Sequence, residues 1–303
     1  YQGAVVRIGN AAADQAQVDT LGEVCRFAHL LERAGGCPPE LLERVPTLAT
    51  AAAEGSKWPD HGIWEVRGAP RHYTHSKVLA WTALDRALDL AADGIIPAVA
   101  SRSWADARRR LETEVAARAT GPGSPLPMAF DDPAADSGTL AAYVVGYPLP
   151  GGAGNAATLD FVLANLRAGF LVARHRPERD QLPGPCLPFI FPSFWAALAE
   201  ARVGRRREAV QRFRAIWELA GAAGQLSEVA DPERRMLLGN CPQIQSHAAL
   251  VEAAFAIWGG PTPGPGRPAP GGRTTARAAR HPVVDIPARA GKGPAALPGP
   301  ALD

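Results

Sequence analysis

The chain has 303 residues, 47% of them hydrophobic and 20% charged, and a formal net charge of +2. That is apolar material for one large domain or two ordinary ones. A charge so near zero gives no electrostatic case for nucleic acid, and no apolar run approaches the length of a membrane span. The four cysteines, Cys25, Cys37, Cys186 and Cys241, form neither a CxxC pair nor a Cys/His zinc spacing, and are expected to be buried free thiols. The sequence opens at Tyr1 with neither a methionine nor a signal-peptide pattern. An upstream part removed, or a fragment, is therefore expected, in a cytoplasmic protein.

In chain order, the body reads as helix after helix. Asn10 is placed to cap a helix from Ala11 to about Arg33, with Val18, Leu21, Val24, Ala28 and Leu31 on one stripe and Gly35-Gly36 as its stop. A second helix is expected from Pro39 to Glu54. A third, from Thr74 to Asp93, should bury Val78, Trp81, Leu84, Leu88 and Ala91 and stop at Gly94. Further helices fit 103–119, 136–146, 158–173, 193–204, 206–221 and 242–257, and no segment reads convincingly as a strand. From Gly259 the composition changes. Residues 259–303 hold ten of the 29 prolines, six basic and two acidic residues, and are expected to be disordered. The expected division is therefore a helical domain over 1–258 and a tail over 259–303.

The long loops at 55–73, 120–135, 174–192 and 222–241 point to function, because compact helical bodies rarely keep such loops without one. The first contains "DHGIWEVRG", which sets Glu65 between apolar neighbours and between two glycines. The last contains "GQLSEVADPERRMLLGNCPQIQSH", where Glu228 follows Ser227. Both glutamates lie between helices and not on a solvated helix face. Aromatic residues beside carboxylates suit sugar binding, because a pyranose ring stacks on tryptophan and its hydroxyls need charged partners. Two carboxylates distant in sequence and near in space suit glycoside hydrolysis; two loop carboxylates in structural ion pairs is the other reading. In the first reading Trp64 and Ile63 desolvate Glu65 and keep its proton, while Arg67 opposes them.

At these residues the chain resembles glycoside hydrolase family 15, the glucoamylases and bacterial α,α-trehalases. The resemblance rests on "RIGNAAADQAQVDTLGEV", "GIWEVRG", "RHYTHSKVLAWTALDRA", "LSEVADP" and "LLGNCPQIQSH", in that order. It implies an all-α (α/α)6 barrel, here incomplete with about nine of twelve helices, and an active site of loops at one end. It implies an inverting, exo-acting hydrolase of α-linked glucosides, trehalose or short α-gluco-oligosaccharides. Glu65 matches the general acid and Glu228 the general base, with carboxyl groups about 6.5–9.5 Å apart. Gln17 and Asp19 match a polar pair facing the pocket. Trp58, Asp60 and Trp64 are implied as sugar contacts. Arg67 and Arg71 either bind sugar hydroxyls or lock the loop. His72 and His75 line the pocket or are structural. Asp136 matches a helix-start aspartate and reads as a cap. Asn240 can cap the last helix, with Pro242 in its first turn. No metal or cofactor is implied, and the expected partners are a small carbohydrate and the N-terminal part of the same enzyme.

The pattern departs from the family at Cys241, Ile244 and Gln245, where aromatic and small residues are usual, and at Val229, where a second acid is usual. The early arginine–aspartate sugar clamp is also absent. A catalytically incomplete fragment, or a pseudoenzyme that at most binds sugar, is the competing reading. The missing front helices imply an exposed apolar seam.

Overall fold

The computed structural model describes residues 12–119, 123–152, 154–179 and 186–259. The expected helix start at Asn10 and the tail beyond Gly259 lie outside the described residues. The described residues belong to one unit, Tyr1–Gly260.

Helix α1 (Asp19–Ala34) begins eight residues later than Ala11, and residues 12–18 run as a turn and an extended segment. Its innermost stripe is Asp19, Gly22, Cys25 and Ala28, with Leu21 and Leu31 flanking. The expected helix from Pro39 breaks into α2 (Pro39–Leu42) and α3 (Val45–Gly55). Pro46 supplies the reason, since proline belongs in a first turn and not in a helix interior. Helix α4 (Thr74–Ala92) ends at Asp93 and Gly94 as read, because Gly94 takes φ +71°. Next come α5 (Ser101–Arg118), a 3-10 turn (Ser137–Leu140) running into α6 (Ala141–Val145), and α7 (Ala157–Leu166). The second half holds α8 (Ile190–Arg202), α9 (Arg206–Trp217) and α10 (Ile244–Trp258).

Two short antiparallel pairs correct the strand-free expectation. β1 (Arg167–Ala168) pairs with β2 (Leu171–Val172), and β3 (Val229–Asp231) with β4 (Met236–Leu238). The first ends α7 at Leu166, seven residues short of the expected helix, because Gly169 at φ +63° turns the chain back. Phe170 therefore leaves the helical stripe.

The helices form two layers. α4 and α8 are buried along most of their length and are the inner members. α4 packs on α1, α3 and α5, and α8 packs on α9 and α10. α6 touches both inner helices and joins the halves. The outer helices α1, α5 and α9 keep charged faces, as amphipathic helices on a core do. This is the helical-hairpin architecture expected of an (α/α) barrel. It brings the loops before α4 and α8 together with the β3–β4 hairpin. Cys25 and Cys37 are buried free thiols as expected, whereas Cys241 is exposed. No helix among the described residues is long and apolar enough to cross a membrane.

Candidate active site

The loop before α4 is a turn built around its glycine and tryptophan. Gly62 takes φ +65°, and a Cβ there would lie 2.9 Å from the Tyr73 ring. Trp64 then dives inward. Its ring stacks on Phe191 at 5.5 Å and meets the edge of Phe189 at 5.4 Å. Its indole N–H donates to Asp136 Oδ1 at 2.8 Å. With the tryptophan held below, Glu65 is left facing outward in a left-handed conformation, φ +51°. Gln15 fixes the other side of the turn, donating from Nε2 to the carbonyls of Glu65 and Val66 at 3.3 and 3.0 Å.

This geometry revises the electrostatic expectation. The Glu65 side chain, expected to be enclosed by Trp64 and Ile63, is 39% exposed and lies 3.8 Å from the Arg67 guanidinium. Beside this turn, burial pushes the Asp136 carboxyl up to about 6 while hydrogen bonds from Trp64 and Gly138 pull it down.

Glu228 sits at the foot of the β3–β4 hairpin. Its backbone N–H donates to Asn240 O at 2.9 Å and its carbonyl accepts from Ile190 N–H at 3.0 Å. Its Oε2 accepts from the Asn240 side chain at 3.0 Å. Gly239 makes this approach possible: it takes φ +76°, and its Cβ would lie 3.1 Å from Glu228 Oε2. The expected role of Asn240 as a helix cap is thereby corrected, since Gln243 occupies the N-cap of α10. His247 Nε2 accepts from Leu226 N–H at 3.2 Å and braces the same loop.

The two glutamate loops meet through one aromatic residue. Phe189 touches Trp64, the neighbour of Glu65, and pairs in a β-bridge with Val229, the neighbour of Glu228. The structure thus brings the two carboxylate-bearing loops onto a single cluster of Trp64, Phe189, Phe191 and Trp195.

The other expected site residues divide into supports and surface groups. Asp60, expected as a sugar contact, is 1% exposed and accepts from Val18 N–H at 3.1 Å, ahead of α1. Trp64, expected as another, is 9% exposed with its ring against Phe189 and Phe191. Arg71 is a lock, bonded to Asp131 at 3.1 Å and Asp132 at 2.9 Å. Arg67 is turned toward Glu65. Asp19 is buried 3.5 Å from His75 Nδ1, and His75 lies flat against Trp195 with its pKa lowered by burial to about 4. Gln17 is half-buried just before α1. Trp58 is exposed, with a ring free to meet a ligand. His72 stacks on Phe130.

Residues missed in the sequence are Gln15, Lys77 and Arg174. Lys77 is buried and donates to the carbonyls of Ser56 and Trp58 at 2.6 and 3.0 Å. Arg174 is buried with its guanidinium 5.5 Å over the Phe189 ring, between the two glutamate loops. Neither side chain sits in a periodic pattern, and the pairing of Gln15 with residues about fifty positions away leaves no local mark. Among the described residues no group of three or more His, Cys, Asp or Glu side chains is placed to hold a metal.

Two carboxylate-bearing loops joined by an aromatic cluster, on a body of helical hairpins, fit the helical-barrel class to which several glycosidases belong. The fold is similar to that of a wild-type glycosidase, with TM-score 0.67, 20% identity and coverage of 80% of this chain and 67% of that one. It is also similar to the glucoamylase of Hormoconis resinae, with TM-score 0.58, 12% identity and coverage of 80% and 53%. The family model of glycosyl hydrolases family 15 matches residues 1–166, and the chain belongs to that family. A trehalase of Mycolicibacterium smegmatis is 32% identical over 257 residues, 83% of this chain and 38% of that protein. A trehalase of Thermoplasma acidophilum is 29% identical over 253 residues, 82% of this chain and 43% of that protein. The chain therefore spans about two fifths of the length of these curated relatives.

Proposed function

We propose that the chain carries the acid and base of an inverting α-glucoside hydrolase acting on trehalose. The observation that carries this reading is the convergence of the Glu65 and Glu228 loops on Phe189. Glu65 protonates the leaving oxygen of the glycosidic bond, and Arg67 orients its carboxyl. Glu228, held by Asn240, takes a proton from the water that attacks the anomeric carbon from the opposite face. The exposed Trp58 offers the sugar an apolar face. Relatives named as trehalases support the choice of disaccharide.

The test is proton NMR of trehalose and of maltose incubated with the chain, with Glu65→Gln as control. Inversion releases one β- and one α-glucose from trehalose, and β-glucose first from the non-reducing unit of maltose. That product pattern, absent with Glu65→Gln, is the expected result. Folded protein that turns over neither sugar would overturn the proposal for this chain, and would favour the reading of a catalytically incomplete fragment.

A further inference from the structure

We infer that Asp136 is a positioning residue for the general acid: it fixes Trp64, and through Trp64 the turn that presents Glu65. This rests on the reading of Glu65 as the acid.

The geometry begins with one oxygen. Asp136 Oδ1 accepts from Trp64 Nε1 at 2.8 Å and from Gly138 N–H at 2.7 Å. Asp136 is 2% exposed, so both bonds are shielded from water. Trp64 cannot swing, because Phe189 and Phe191 hold its ring. The next residue, Glu65, is one of two non-glycine residues with positive φ among the described residues. A left-handed glutamate persists only when its surroundings over-determine it. Here the indole anchor fixes the chain before Glu65, and Gln15 fixes the carbonyls at and after it. Gly138 allows the approach of the two segments: a Cβ there would lie 3.1 Å from Asp136 Oδ1 and 3.3 Å from Ile63 Cγ2.

The bond to Trp64 is sensitive to charge. A carboxylate acceptor makes a stronger hydrogen bond than a neutral acid. Burial pushes Asp136 up to about 6. The titratable groups facing it are Asp132 on the preceding loop, whose charge pushes it further up, and the Tyr73 phenol just ahead of α4. His75 of α4, which burial keeps neutral, lies across Gly138 from it. Below pH 6 the anchor loses its charge, and the Glu65 turn loosens with it.

The test uses the whole chain and two variants. Asp136→Asn keeps a carbonyl oxygen for Trp64 and removes the ionisation; Asp136→Ala removes the acceptor. The first readout is two-dimensional NMR from pH 4.5 to 8 of the Trp64 indole N–H, assigned by its absence in Trp64→Phe, and of the Glu65 amide. In the parent chain both signals should move with a midpoint near 6, and both should be flat in Asp136→Asn. An indole signal that moves without the Glu65 amide, or neither moving, would overturn the inference. The second readout is kinetic. Asp136→Ala should lower kcat about tenfold with KM within about twofold, and Asp136→Asn, which like the protonated acid offers Trp64 a neutral oxygen, should fall between it and the parent while losing the pH dependence near 6. A loss carried by KM, or an unchanged kcat in Asp136→Ala, would also overturn it. If the parent chain hydrolyses nothing, the hydrolase reading fails, and the NMR readout still decides the coupling of Asp136 to Glu65.

Discussion

Glu228 owes its orientation to Asn240, whose amide donates to Oε2 at 3.0 Å. Removing a hydrogen bond to a charged group costs about 1.5–3 kcal/mol, so Asn240→Ala should lower kcat/KM about ten- to hundredfold. Glu228→Gln, which removes the proposed base, should lower kcat about 10²–10⁴-fold. Steady-state kinetics on trehalose checks both, and equal losses in the two variants would show that Asn240 does more than orient. The glutamates themselves were legible in the sequence, because each sits off any helical period beside a tryptophan or a serine. The role of Asp136 was only half legible. "ADSGTLAA" is a capping pattern, and the Gly138 N–H does bond to it. Its second bond, to Trp64, spans 72 positions, and pairing at that distance leaves no spacing to read.

At the scale of elements, α1 and α4 meet backbone to backbone at Gly22. A Cβ at Gly22 would lie 2.2 Å from Leu79 O, so Gly22→Ala must push the helices apart. A loss of about 1–3 kcal/mol in urea unfolding is expected; an unchanged midpoint would mean that the contact is looser than described. Lys77 ties α4 to the end of α3 and gives a pH signature. Burial pulls its pKa from 10.5 down to about 8. Between those values the unfolded chain binds the proton and the folded one does not, so this group makes stability rise with pH across the window. Other groups, the buried Cys25 thiol among them, act in the opposite sense in this window, so the test is a difference: in urea unfolding the stability of the parent chain relative to Lys77→Met should rise between pH 8 and pH 10. The boundaries of α4 were readable because Gly94 and the apolar spacing agree. The β1–β2 turn was not. Leu159, Val162 and Leu166 continue a helical stripe into Phe170, and only the left-handed Gly169 breaks it.

On the scale of the molecule, α1 and α10 carry exposed apolar side chains. α1 and α10 are joined by an ion pair between Arg26 and Glu252. Around that pair Phe27 is 56% exposed, Leu30 49%, Val251 49% and Phe255 61%. Grouped apolar side chains of this size favour association in water. The isolated chain should therefore sediment above its monomer mass, and the double variant Phe27→Glu, Phe255→Glu should shift it toward monomer. A monomeric parent chain would count against this patch as an association surface. The exposure of these side chains could not be read from the local sequence, since they carry the same apolar pattern as residues that are covered.

The aromatic junction has a consequence for the newborn protein. The chain leaves the ribosome from its N-terminus, so the turn at Glu65 is made long before α8 exists. Until Phe189 and Phe191 emerge, Trp64 has no ring to rest against and the acid has no seat. The first half of the chain can assemble α1, α3, α4 and α5 early, because most of their contacts are with one another. The cluster around Trp64 is therefore among the last features to be finished. A chain stalled before Phe189 would be largely helical, with the Glu65 turn unsupported on its aromatic side.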